Sequence, residues 1–141
     1  MKYKVAIGVF SVLLAVSCGR QDPLSKLNEE QRQFLLGDDE SRIVFLGAPQ
    51  SGAGLSCNPN VMNQGYTIEK TDNDLILKSI RPSGTEAHTI KDIEVSGANI
   101  AIKARNGANI PFNLIFSDTN IDGAIISFDG EGKSQFKRCI K

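Results

Sequence analysis

Residues 118–129 read DTNIDGAIISFD, and the fold turns on what that string does. Oxygen-bearing side chains stand at loop positions 1, 3, 5 and 12 (Asp118, Asn120, Asp122, Asp129), with Gly123 at position 6 and Ile125 at position 8. That spacing is close to a calcium-binding helix–loop–helix. The same letters suit a tight turn between two β-strands, because Asp, Asn and Gly accept the backbone conformations a turn demands. The flanks separate the two. Upstream, IPFNLIFS (110–117) alternates like a strand and carries Pro111, which leaves little room for a helix. Downstream, Gly130 and Gly132 would break one. If GAIISF is extended, Asp129 lies about 20 Å from Asp122 and cannot share a metal with it. DTNIDG is therefore expected to be a hairpin tip. The alternative is a calcium site built from Asp118, Asn120, Asp122 and water.

The pattern extends outward in both directions. From residue 42 onward, short β-rich runs alternate with turn signals: RIVFLG (42–47), QGYTIEKT (64–71), DLILKSI (74–80), EAHTIKDIEV (86–95), ANIAIKAR (98–105), IPFNLIFS (110–117), DGAIISF (122–128) and KSQFKRCI (133–140). Ile100 and Ile102 share one face; Phe112, Leu114 and Phe116 share another, as do Ala124, Ile126 and Phe128. After the glycine-rich stretch that follows RIVFLG, the connections shrink to TDND, RPSG, SG, RNGAN, TNID and DGEG. Connections this short join antiparallel neighbours, since parallel pairing needs a long crossover. The expectation is an all-β domain over 42–141, an up-and-down barrel or strongly curved sheet of seven to eight strands, which leaves few open edges.

The first twenty residues, MKYKVAIGVFSVLLAVSCGR, have a different purpose. Lys2 and Lys4 precede an apolar run from Val5 to Val16, which ends in small residues before a cysteine. This is the layout of a secretory signal peptide, and the run is short of the roughly 20 residues a membrane span needs. Ala15-Val16-Ser17-Cys18 resembles the lipobox of bacterial lipoproteins, with Ala15 where that family most often has Leu. The resemblance implies cleavage after residue 17, lipidation of Cys18 and attachment to a membrane; Gly19 after the cysteine hints at the outer one. Several acyl chains on one cysteine give stable anchoring where one chain would be marginal. The chain is formally neutral, and losing Lys2 and Lys4 leaves the mature form near −2. No basic patch suggests nucleic acid or an anionic surface as a partner.

Cys57 and Cys139 are an even pair in a chain that reads as exported, and are expected to form a disulfide. Closing so long a loop is worth roughly 4–5 kcal/mol in the loop-entropy account. Between anchor and domain, residues 18–41 are expected to be a tether with a short helix near 28–36. Asn28 would cap it, Gln31 completes a capping box, and Gly37 stops it. A partner-binding arm is the alternative to a spacer partly docked on the domain.

No constellation of catalytic groups is apparent. His88 is the single histidine, in the polar stretch GTEAHTIKD, and reads as a surface residue. QSGAG around Ser51 is not the nucleophile-elbow motif, and GAPQSGAG lacks the phosphate-loop lysine. The expectation is a non-catalytic domain with no cofactor and no resident metal. Ser96-Gly97-Ala98 resembles the start of a loop in membrane-bound C-type lysozyme inhibitors, small lipoproteins with an eight-stranded barrel and a disulfide. That likeness implies a protein partner in the envelope, with Ser96 entering a lysozyme cleft; Asn99 and Ile100 depart from the basic and aromatic residues that follow in that family. A structural role, or carriage of a small hydrophobic ligand, are the other expectations for a lipid-anchored barrel.

Overall fold

The computed structural model describes residues 22–38, 43–47, 55–129 and 131–140. Its body is a closed barrel of eight strands: β1 (Ile43–Gly47), β2 (Gln64–Lys70), β3 (Leu75–Arg81), β4 (Gly84–Ser96), β5 (Asn99–Arg105), β6 (Pro111–Asn120), β7 (Gly123–Phe128) and β8 (Glu131–Ile140). The strands follow chain order around the barrel, every neighbouring pair is antiparallel, and β1 closes on β8. Each run read as β-rich forms a strand. The barrel, rather than an open curved sheet, is the outcome.

Alternation explains the interior. On β5, Ile100, Ile102 and Ala104 are buried while Asn99, Lys103 and Arg105 are exposed. On β6, Phe112, Leu114 and Phe116 point inward. Ala124 and Ile126 do so from β7, whereas Phe128 at the strand's end is 40 % exposed. Ile90 and Ile93 on β4 both face in although they are three residues apart, because a bulge at Ile90/Asp92 inserts one residue and resets the alternation. Burial of each large apolar side chain contributes about 1.5–3 kcal/mol.

β1 is buried on both faces. Ile43 and Phe45 join the interior, while Val44 and Leu46 form an outer cluster with Met62 and Cys139, against which Leu55 and Ile80 pack. The β1–β2 connection thus lies over the outside of the seam. Cys57 in that connection is bonded to Cys139 of β8, 82 residues on, with a Cα–Cα distance of 5.7 Å. Cys139 pairs directly with Val44, so the disulfide ties the covering loop to the strand that closes the barrel.

The N-terminal segment is more than a spacer. A short 3-10 helix (Pro23–Lys26) and helix α1 (Glu29–Leu36) precede the barrel. The capping box at Asn28 forms: its side chain accepts from the Gln31 N–H at 2.8 Å, and the Gln31 side chain accepts from the Asn28 N–H at 2.9 Å. Gly37 ends the helix at φ 81°. An eight-residue helix is marginal alone; it holds here because Leu24, Leu27 and Leu35 are buried in the barrel core, with Phe34 and Leu36 packed against it. The Phe34 ring lies 5.2 Å from Phe45 and 6.4 Å from Phe116. The segment plugs one end of the barrel.

Candidate functional site

Antiparallel order puts the β2–β3, β4–β5 and β6–β7 turns at one end of the barrel, the end that the N-terminal segment plugs. The β3–β4, β5–β6 and β7–β8 turns stand at the other. Both sequence motifs that suggested binding therefore share the plugged rim.

DTNIDG is the β6–β7 hairpin. Asn120 pairs with Gly123 across a two-residue turn of Ile121 and Asp122. Asn120 Oδ1 accepts the Asp122 N–H at 2.9 Å, and its amide donates to the Asp118 carbonyl at 3.2 Å. The side chain that a calcium site would recruit thus holds its own turn. Asp118, at φ 49°, belongs to a bulge in β6. Gly123 has an ordinary φ; it is glycine because β8 runs against it, and a Cβ would collide with the Phe136 carbonyl oxygen and lie 3.1 Å from its carbon. The calcium-like letters are accounted for by a turn, a bulge and a close backbone approach. Among the described residues, no cluster of three or more His, Cys, Asp or Glu is placed to hold a metal ion.

Ser96-Gly97-Ala98 is the β4–β5 tip. Ser96 pairs with Asn99, and Gly97 and Ala98 form the turn. Gly97 takes φ 61° and has open space around it; positive φ at the first central residue is the II′ pattern that suits strand twist. All three residues are exposed, and the Ala98 carbonyl accepts from Thr119 Oγ1 at 3.3 Å, which ties this tip to β6.

Several clefts border the plug among the described residues. One of about 510 Å³ runs between α1 and the β6–β7 tip and is lined by Phe34, Ile43, Ile100, Ile121, Arg138 and Ile140, among others. A second, about 700 Å³, lies between α1 and the β2–β3 turn. A third, about 530 Å³, lies beside Asp22 and Leu24. The plug is held by contacts that sequence reading did not find. Arg138 donates from Nε to the Phe34 carbonyl at 3.0 Å and from Nη2 to the Gln33 carbonyl at 2.9 Å, and its guanidinium sits 5.7 Å from the Phe34 ring. These carbonyls are at the helix C-terminus, where a cation suits the dipole. Lys26 Nζ meets Asp92 Oδ1 at 2.9 Å; the β4 bulge aims Asp92, which also accepts the Ile93 N–H. Hydrogen bonding and charge from Lys26 hold the Asp92 carboxyl below its usual range and raise the Lys26 ammonium.

The surface reading of His88 is corrected. The residue is 2 % exposed inside the unplugged half of the barrel, its ring stacked on Phe112 at 4.0 Å. Neither ring nitrogen has a hydrogen-bond partner among the described residues; Glu86 Oε2 is 3.8 Å from Nε2. Burial lowers the His88 pKa, an effect that Glu86 opposes and Arg81 reinforces. The neighbours in sequence disguised it: Glu86 shares its face but stands exposed near the start of β4, Ala87 and Thr89 face the other way, and the burying ring comes from β6.

The stretch expected to be a signal peptide, residues 1–17, and Cys18 lie outside the described residues, as does Ser51. Cys57 and Cys139 are joined as expected. No family model, no curated protein and no solved structure matches this chain.

Proposed function

We propose that the protein is an exported lipoprotein, held in the cell envelope by acyl chains on Cys18, whose barrel binds or braces a partner and performs no catalysis. The observation that carries this reading is the lipobox-like Ala15–Cys18, four residues before a segment built into a disulfide-stapled barrel. The disulfide suits an oxidising compartment, and Gly19 favours the outer membrane. The barrel interior is filled by side chains such as Phe45, Ile102, Leu114 and Phe116, all fully buried, so a hydrophobic cargo would have to sit in the clefts beside the plug. Incorporation of radiolabelled palmitate into the wild type, lost in Cys18→Ala, is the expected result. Equal labelling of the two would end the lipoprotein reading.

Inhibition of a lysozyme-type hydrolase is the second reading, favoured by the exposed II′ turn at Gly97 that presents Ser96. Purified mature protein would then slow lysis of a cell-wall substrate, and Ser96→Ala would weaken it about tenfold or more, as loss of a central interface contact does. No inhibition by the wild type would remove this reading.

A further inference from the structure

The plugged end carries an apolar feature that the fold itself does not explain. Ile121 occupies the first turn position of the β6–β7 hairpin and is 80 % exposed, and Ile140 at the end of β8 is 70 % exposed. Both border the cleft beside α1. A β-branched aliphatic residue is a poor choice for a turn tip, and burying nothing it adds nothing to the core. Ile110, 57 % exposed, stands at the opposite end beside the β5–β6 turn.

Covalent geometry distinguishes the two ends. Asp22 is fixed to the plugged rim: its side chain accepts the Leu24 N–H at 3.0 Å, Leu24 is buried, and Asp22 borders the β2–β3 turn. It stands four residues after Cys18, a span of at most about 14 Å. We infer that the plugged end of the barrel lies against the lipid surface, with Ile121 and Ile140 as its apolar contacts. The inference rests on the Cys18 anchor. The tether makes the contact intramolecular, so two aliphatic side chains suffice where they would not hold a free protein. Asp118 and Asp122 beside Ile121 are exposed carboxylates, so the lipid that fits is zwitterionic rather than anionic.

The chain has no tryptophan, so one introduced Trp is an unambiguous reporter. Ile121→Trp and Ile110→Trp would be made in the full chain, purified as the acylated protein and reconstituted in phosphatidylcholine vesicles with brominated acyl chains. Insertion by several ångströms predicts quenching of Ile121→Trp by about twofold, with Ile110→Trp nearly unaffected. Quenching of Ile121→Trp should fall when anionic lipid replaces part of the phosphatidylcholine. With the palmitate label in place, an unquenched Ile121→Trp, or equal quenching at both positions, overturns the orientation and leaves the anchor standing. A blue-shifted but unquenched Ile121→Trp would put a second protein surface there, and equally overturns it. Absence of the palmitate label itself removes the anchor, and the orientation with it.

Discussion

The two ends of the barrel solve the same problem in different ways. An eight-stranded barrel leaves two rings of strand ends, and its interior must be shielded from water at each. At one end the shield is another piece of chain: Leu24, Leu27 and Leu35 enter the core, Phe34 meets Phe45 and Phe116, and Arg138 holds the helix by its last carbonyls. At the other, rings from the strands themselves fill the interior. Tyr66 lies 5.4 Å from Phe136 and 6.4 Å from Phe112, and Phe112 touches both His88 and Phe128. The plugged end keeps its polar groups paired, with an ion pair and two charged hydrogen bonds. The aromatic end buries a titratable imidazole among rings. One closure therefore uses a docked segment, and the other uses aromatic rings packed around a buried imidazole.

The largest effect should follow from loosening the plug. Leu35 is fully buried, and Leu35→Ala removes three carbons from a packed site; such changes cost about 2–5 kcal/mol. For a domain of this size that lowers the melting temperature by roughly 10–20 °C. Hydrogen exchange should show faster loss of protection over residues 22–38 than over β5 and β6, since docked segments open before strands at the core. A melting temperature within about 2 °C of wild type would mean the helix contributes no more than a surface substitution does, and the distinction between the two ends would fail.

The comparison also marks what the sequence could reveal. Local periodicity and turn chemistry are readable because their causes lie within a few residues: Phe112, Leu114 and Phe116 alternate, Asn120 folds back on Asp122, and Asn28 and Gln31 cap each other. Cys57 and Cys139 were paired by counting, not by geometry. The groups that went unread are those whose partners are distant in the chain. Arg138 sits in KSQFKRCI among other charges, and nothing nearby says that it reaches carbonyls 104 and 105 residues earlier. Lys26 and Asp92 are 66 residues apart. His88 looks exposed beside Glu86 and becomes buried only when β6 brings Phe112 over its ring. DTNIDG was misleading in a useful way, since turns and metal loops draw on the same short oxygen-bearing side chains. Gly123 decided between them through the backbone of β8, not through φ.

A smaller effect belongs to Arg138. Arg138→Met keeps most of the aliphatic stem and deletes both bonds to the helix carbonyls. Hydrogen bonds to charged groups are worth about 1.5–3 kcal/mol when shielded, and these are partly solvated, so a loss of about 1–2 kcal/mol in urea unfolding is expected. The change should be the same at pH 5 and pH 8, because an arginine does not titrate there and the shift at Asp92 moves its carboxyl further from that window. A variant as stable as wild type would show that packing alone holds the plug.

The smallest effect near neutrality, and the one that separates the ends most cleanly, concerns His88. Its folded-state pKa is lowered from an ordinary value of 6.5, first by burial and then by Arg81, with Glu86 opposing. Above 6.5 the imidazole is neutral in both folded and unfolded chains, and its titration has no effect on stability. As pH falls through 6.5, the unfolded chain takes up a proton that the folded chain refuses, so stability declines toward the lowered folded value and then levels off. Between pH 7.5 and pH 5 the wild type should therefore lose melting temperature. His88→Leu, close in volume and with no nitrogen to leave unpaired, should remove most of that slope and be at least as stable as wild type at pH 5. Leu35→Ala should keep the wild-type slope while melting lower throughout. If wild type and His88→Leu lose stability in parallel, the acid sensitivity comes from carboxylates elsewhere, and the aromatic end is as indifferent to pH as the plugged one.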